Sequence, residues 1–167
     1  MPDEKNRRFL PTYKGCFVCG QKETNSNTLN LRFEIVEDGV SVTFKPGPEH
    51  EGYKDKVHGG IICALLDETV GWAVAVARGR YFVTGEINVR FVRPLVVGTE
   101  VTIKGRAVEH KSRYSVAEGE VTDRLGTIYA RATGKFFLMS EEHAQAISKY
   151  MTFREDDLDV LAKRPTM

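Results

Sequence analysis

The sequence predicts an α+β domain in which a curved antiparallel sheet wraps around one long central helix. Three observations predict it. About twenty residues from His58 to Ala77 are rich in Ala, Leu, Ile and Val and apolar almost all round, as in a buried helix. Short β-prone runs flank this stretch on both sides. In the last of them, Ile128, Ala130, Ala132, Gly134, Phe136 and Leu138 share one face, and the small residues in the middle would let a helix lie close to the sheet.

Residues 1–20 read as a polar leader ending in a Cys-x-x-Cys segment, with order beginning at Gly15; 21–140 form the domain and 141–167 a helical tail. Leu31 to Val36 and Val40 to Phe44 flank Glu37-Asp38-Gly39, a turn cluster, and form a hairpin. Lys45 to Val57, with two prolines and two glycines, is a loop. The central helix ends at Arg78-Gly79-Arg80, because glycine tolerates the left-handed conformation beyond a helix terminus and arginine suits the negative end of the dipole. Val83, Gly85, Ile87, Val89 and Phe91 then alternate with Thr84, Glu86, Asn88 and Arg90, giving a half-buried strand stopped by Pro94. Further strands follow around Val101 to Val108, Tyr114 to Val121 and Ile128 to Leu138. Ser140 caps a tail helix expected to run to about Met151.

The 167 residues suit one domain with a sizeable core. With 24 basic and 23 acidic residues the net charge is +1, so no global field draws the chain to nucleic acid or an anionic membrane. Three cysteines without a secretory signal point to a reducing compartment, by default the cytoplasm. Asp67 and Glu68 interrupt the longest apolar stretch, which is therefore not a membrane span.

His58-Gly59-Gly60 stands where loop meets helix. Its glycines permit close ligand approach and leave backbone N–H groups at the positive end of the dipole, where an oxyanion can be stabilised. Asp67 shares a helical face with Cys63, Ala64, Val70 and Gly71; a carboxylate in a buried helix must be paired, protonated or functional. Glu68 reads as the solvated end of the same acidic step. At about 1.5 Å per residue, Gly60 and Asp67 lie roughly 10 Å apart, too far to act on one carbonyl. A shared site would need the Gly60 end of one chain and Asp67 of a second. Cys16-x-x-Cys19 has half of a zinc spacing, but no second Cys pair or His-x₃-His completes it, so no metal is expected. Cys63 and Trp72 read as core.

The segment His58-Gly59-Gly60-Ile61-Ile62-Cys63-Ala64-Leu65-Leu66-Asp67-Glu68 resembles the His-Gly-Gly, six residues, Asp signature of the phenylacetyl-CoA-type acyl-CoA thioesterases of the hotdog-fold superfamily. The likeness continues through Thr84, Asn88 to Pro94, Gly98 and Gly126 to Gly134, covering roughly residues 30 to 139. It implies a hotdog fold, homodimers or dimers of dimers with shared sites, and hydrolysis of an acyl-CoA without a cofactor, coenzyme A being part of the substrate. It also implies Asp67 as general base or nucleophile, the Gly60 N–H as polariser of the thioester carbonyl, His58 at the helix entrance and Thr84 orienting water. Gly59, Glu68, Arg90, Arg93, Lys111 and Arg113 are candidates for substrate contact, the four basic residues for the phosphates of coenzyme A. One departure is Gly52, where several relatives carry an Asn or Gln that also polarises the carbonyl; His50 and Tyr53 are the nearby substitutes. Two other activities fit the same fold: a non-catalytic acyl-CoA sensor and an enoyl-CoA hydratase or dehydratase.

Overall fold

The structure, a computed structural model, describes residues 7–160. Eleven strands and two helices follow in order: β1 (Arg8–Phe9), β2 (Thr12–Tyr13), β3 (Glu34–Val36), β4 (Gly39–Phe44), β5 (Glu51–Tyr53), β6 (Lys56–Val57), α1 (Gly59–Arg78), β7 (Phe82–Phe91), β8 (Val101–His110), β9 (Tyr114–Asp123), β10 (Ile128–Leu138), α2 (Glu141–Ser148) and β11 (Met151–Thr152). Seven strands form one antiparallel sheet in the order β1-β3-β4-β8-β9-β10-β7. Helix α1 packs against β4, β7, β8, β9 and β10, as the apolar pattern requires. It has the length and mean hydropathy, 1.6, of a membrane span, but half of that window is buried inside this sheet.

The helix ends are where the sequence puts them. The His58 side chain accepts from Gly60 N–H at the N-cap, and Gly79 closes the C-terminus at φ 63°. The first hairpin turns through Glu37 and Asp38, with Gly39 at φ 148° opposite Val36. The closest approach of helix to sheet falls on β8 and β9 rather than on the small residues of β10. A Cβ at Gly105 would stand 3.0 Å from the Thr69 carbonyl oxygen, and one at Gly119 would stand 2.6 Å from Val70 Cγ1. Each glycine thus leaves room for a turn of α1 that any side chain would displace.

Strand β7 departs from strict alternation. Thr84 pairs with Phe136 and Glu86 with Lys135, so Gly85 is an extra residue without an opposite number. This bulge changes the phase of the strand. Ile87 and Val89 face the core, but Val83 is 49% exposed and Thr84 turns toward α1 in its place.

The chain ends also differ from expectation. Order reaches back to Arg7, since β1 joins the edge of the main sheet and Leu10 is fully buried; residues 1–6 lie outside the described ones. The tail helix stops at Ser148, after which β11 pairs with β2. Arg32 ties the two ends together, reaching Asp156 at 2.7 Å and Asp157 at 2.6 Å while lying over the Phe9 ring. The described parts of the leader and tail therefore pack against each other and onto the domain. The predicted loop between Lys45 and Val57 contains a 3₁₀ turn at Pro48–His50 and the small β5-β6 hairpin.

Candidate active site

Helix α1 and strand β7 bring Asp67 and Thr84 together: Thr84 Oγ1 donates to Asp67 Oδ1 at 2.8 Å. The bulge at Gly85 is what aims the hydroxyl inward, so a local irregularity supplies a residue the alternation pattern would have turned outward. Both side chains open onto a cavity of about 460 Å³. Its walls include Tyr13, Trp72, Tyr81, Phe136, Ile147 and Met151, contributed by the N-terminal segment, α1, β10 and the tail. Trp72 is a core residue, as expected, and one face of it also walls the cavity. Tyr81 carries a buried hydroxyl without a hydrogen-bond partner among the described residues, and burial raises its pKa to about 12. Contributions from Tyr13, Ile147 and Met151 had no sequence signal, because the leader and tail are recognisable as walls only once they fold back.

The two acids are both half-buried but have different neighbours. Asp67 is half-buried beside the exposed edge strand, whereas Glu68 turns into the cavity wall against Cys16, Cys19 and Trp72. Burial, followed by the charge of Cys16, pushes the Glu68 carboxyl up to about 8. The Cys16 thiol is drawn down to about 6, first by a hydrogen bond with the Cys19 thiol and against the effect of burial; Val18 and Cys19 N–H groups add to the lowering. Cys19 is pushed up, by its hydrogen bond with Cys16 and then by burial. Glu68 is thus no solvated neighbour of Asp67.

At the other end of α1, Gly60 N–H donates to His58 Nδ1 at 2.8 Å. The N–H assigned to the substrate carbonyl is therefore engaged within the chain, and a thioester oxygen has to share it or displace the imidazole. Accepting at Nδ1 puts the proton of a neutral His58 ring on Nε2. Gly59 lies against Phe91, whose ring would be 3.3 Å from a Cβ at that position. The glycine at position 52 has a steric reason: a Cβ there would stand 2.9 Å from His58 Cα. Of the two suggested substitutes, His50 lies beside the helix entrance, its carbonyl accepting from His58 N–H at 2.8 Å. His50 Nδ1 accepts from Gly47 N–H at 2.9 Å, and Tyr53 is 88% exposed.

The four basic candidates do not converge within one chain. Phe82 pairs with Leu138 and Phe91 with Ala130, so at about 3.3 Å per residue the ends of β7 lie roughly 30 Å apart. Arg90 and Arg93 stand at the Phe91 end, where Arg93 donates to the Ile128 carbonyl at 2.9 Å. Lys111 and Arg113 stand at the Phe82 end; the Arg113 carbonyl accepts from Leu138 N–H, and Lys111 pairs with Glu109 at 2.8 Å.

A long helix clasped by an antiparallel sheet, with an acid and a hydroxyl at the mouth of an apolar cavity, is the hotdog architecture. The thioesterase superfamily model matches residues 55–136, from β6 to within β10. The chain is 33% identical over 113 residues to the candidate esterase SSO2140 of Saccharolobus solfataricus, covering 66% of this chain and 80% of that one. It is 32% identical over 105 residues to acyl-coenzyme A thioesterase THEM5 of Mus musculus, covering 61% of this chain but only 42% of the mouse protein. Among solved structures, a hypothetical thioesterase of Streptococcus pneumoniae determined with coenzyme A gives a TM-score of 0.61 at 27% identity, over 66% of this chain and 87% of that one. The PaaI protein of E. coli, from the phenylacetic acid degradation operon, gives 0.63 at 19% identity over 69% and 83%, a likeness of fold. The chain belongs to the thioesterase superfamily.

Proposed function

We propose that the protein hydrolyses an acyl-CoA thioester, with Asp67 activating the water. The observation that carries this reading is the 2.8 Å hydrogen bond from Thr84 to Asp67 at the mouth of the apolar cavity. Because the Thr84 hydroxyl donates to Oδ1, its lone pairs are left to accept one O–H of a water whose other O–H points to the carboxylate. Asp67 takes that proton as the water oxygen bonds to the thioester carbon. The tetrahedral intermediate then expels the coenzyme A thiolate, which receives the proton. Attack by the carboxylate itself, through an anhydride opened by water, uses the same groups. The acyl group sits among Trp72, Tyr81 and Phe136, and no step requires a resident cofactor.

The carbonyl oxygen is polarised from a second chain. Among the described residues strand β7 pairs only with β10, and its other edge is open over ten residues, an arrangement that invites strand addition. Val83, Phe91 and Val92 lie along it, 49%, 52% and 42% exposed. Antiparallel pairing with β7 of a second copy, centred near Ile87, would lay the Phe91 end of one chain beside the Phe82 end of the other. The Gly59-Gly60 turn would then face the partner's Asp67 and Thr84. The same pairing would bring Arg90 and Arg93 of one protomer toward Lys111 and Arg113 of the second, forming the phosphate-binding patch that one chain lacks.

Free thiol release from short, medium, long and aromatic acyl-CoAs tests the reading. Wild type should hydrolyse at least one, and Asp67→Asn should lose at least about a hundredfold in kcat/KM with its assembly unchanged. Binding of acyl-CoA without thiol release would instead identify a sensor.

A further inference from the structure

Hydrolysis as described leaves the Cys16-Phe17-Val18-Cys19-Gly20 turn and Glu68 without a task. The fold brings them together. The Cys16 and Cys19 sulfurs and a Glu68 carboxylate oxygen all lie within 4.8 Å of one another, and Cys16 Sγ is 3.6 Å from each Glu68 oxygen. The turn is shaped around sulfur: Val18 and Cys19 N–H groups point at Cys16 Sγ, at 3.2 and 3.4 Å. Gly20 N–H closes the turn on the Cys16 carbonyl at 3.0 Å, and a Cβ at Gly20 would collide with that carbonyl. The loop is in turn held by Leu29 N–H on the Phe17 carbonyl and Leu31 N–H on the Val18 carbonyl, at 2.7 and 3.0 Å. Trp72 Nε1 steadies Glu68 from the next turn of α1 at 3.3 Å. Among the described residues no Lys, Arg or His partners Glu68.

We propose that this cluster is a zinc site, with Cys16 Sγ, Cys19 Sγ and a Glu68 carboxylate oxygen as protein ligands and water from the cavity as the fourth. In a tetrahedral site with Zn–S about 2.3 Å and Zn–O about 2.0 Å, sulfur and oxygen ligands stand about 3.5 Å apart. The sulfur-to-carboxylate separation of 3.6 Å is already that of a ligand edge. Two thiolates and a carboxylate gather three negative charges, two of which a dication offsets; thiolate donors favour zinc over magnesium or calcium. Binding displaces the thiol protons to solvent. Cys16 and Glu68 both line the acyl cavity, so the ion fastens the N-terminal turn to α1 and fixes one wall of the pocket. It does not activate the attacking water: on a helix, Asp67 points about 100° away from Glu68, toward Thr84. The sequence alone offers only half of a site, since the third donor lies 49 residues beyond Cys19 and comes from the helix.

The test uses the full chain purified under reducing conditions after expression with zinc. Elemental analysis of dialysed protein should find about one zinc per chain, and at least about tenfold less in Cys16→Ser/Cys19→Ser. Replacement by Co²⁺ in the wild type should give a thiolate-to-cobalt charge-transfer band and the visible bands of a tetrahedral ion, a readout that needs no variant to fold. Glu68→Gln should lower resistance to a chelator about tenfold or more while keeping the charge-transfer band. None of these readouts depends on hydrolysis. Wild type with less than about a tenth of an equivalent of metal and no cobalt band would overturn the proposal. So would zinc retained in the double serine variant, or a wild-type mass lower by two hydrogens, the mark of a Cys16–Cys19 disulfide.

Discussion

Asp67 and Glu68 are neighbours on one helix and live in different chemical worlds. Asp67 looks toward an open strand edge and takes one hydrogen bond from a hydroxyl; Glu68 looks toward two sulfurs and an indole, where burial raises its pKa to about 8. The difference follows from geometry. Consecutive helical residues point about 100° apart, so a helix enclosed by a sheet on one side and by a folded-back leader on another gives adjacent acids separate walls. One side is left beside the open strand, and the other closes on the Cys16–Cys19 turn.

The largest expected effect separates the two acids. Asp67→Asn should remove at least about a hundredfold of the hydrolysis rate, about 2.7 kcal/mol in the barrier, while thermal melting and zinc content stay at wild-type values. Glu68→Gln should show the opposite emphasis, with the chelator-resistant metal and the melting temperature both falling.

A substitution on the third side of the helix sharpens the contrast by affecting neither acid directly. Gly105→Val places atoms where the Thr69 carbonyl of α1 already lies, so denaturant unfolding should report a loss of about 1–3 kcal/mol. A valine accommodated without loss would mean that the helix does not sit this close to β8.

Thr84→Val should be smaller in its effect on rate than Asp67→Asn: about tenfold in kcat, with KM little changed, because water loses orientation and the base remains. A KM effect alone would assign Thr84 to substrate contact instead of to the water.

Much of this architecture was legible from period and punctuation. The apolar run with His58 before it and Gly79 after it defines α1 almost to the residue, and Glu37-Asp38-Gly39 places the first hairpin. The His-Gly-Gly to Asp spacing and the family resemblance single out Asp67 and Thr84, which the fold brings within hydrogen-bond distance. What was not legible depends on contacts distant in sequence. The bulge at Gly85 exists only in register with β10, so alternation assigned Val83 to the core and the structure exposes it. Glu68 reads in sequence as the solvated acid because nothing linear carries Cys16 across 52 positions to meet it. Trp72 is core, as its place in the apolar helix implies, but that it also faces a cavity depends on a tail recognisable only once folded. The four basic residues look like one patch in sequence, yet the register of β7 puts them at opposite ends.

The central claim is that one catalytic site draws on two chains, and mixing two defective variants tests it most directly. Asp67→Asn lacks the base. Gly60→Pro lacks the N–H at the helix entrance, which in the first turn has no partner within the helix and bonds only to the His58 ring, so the ring must shift to admit the proline. Each alone should be nearly inactive. Co-expressed in equal amounts, they form heterodimers in which one of the two sites combines an intact Gly60 with an intact Asp67, and thiol release should recover to about a quarter of the wild-type rate. Heterodimers that form but release no thiol above either variant alone would contradict the shared site.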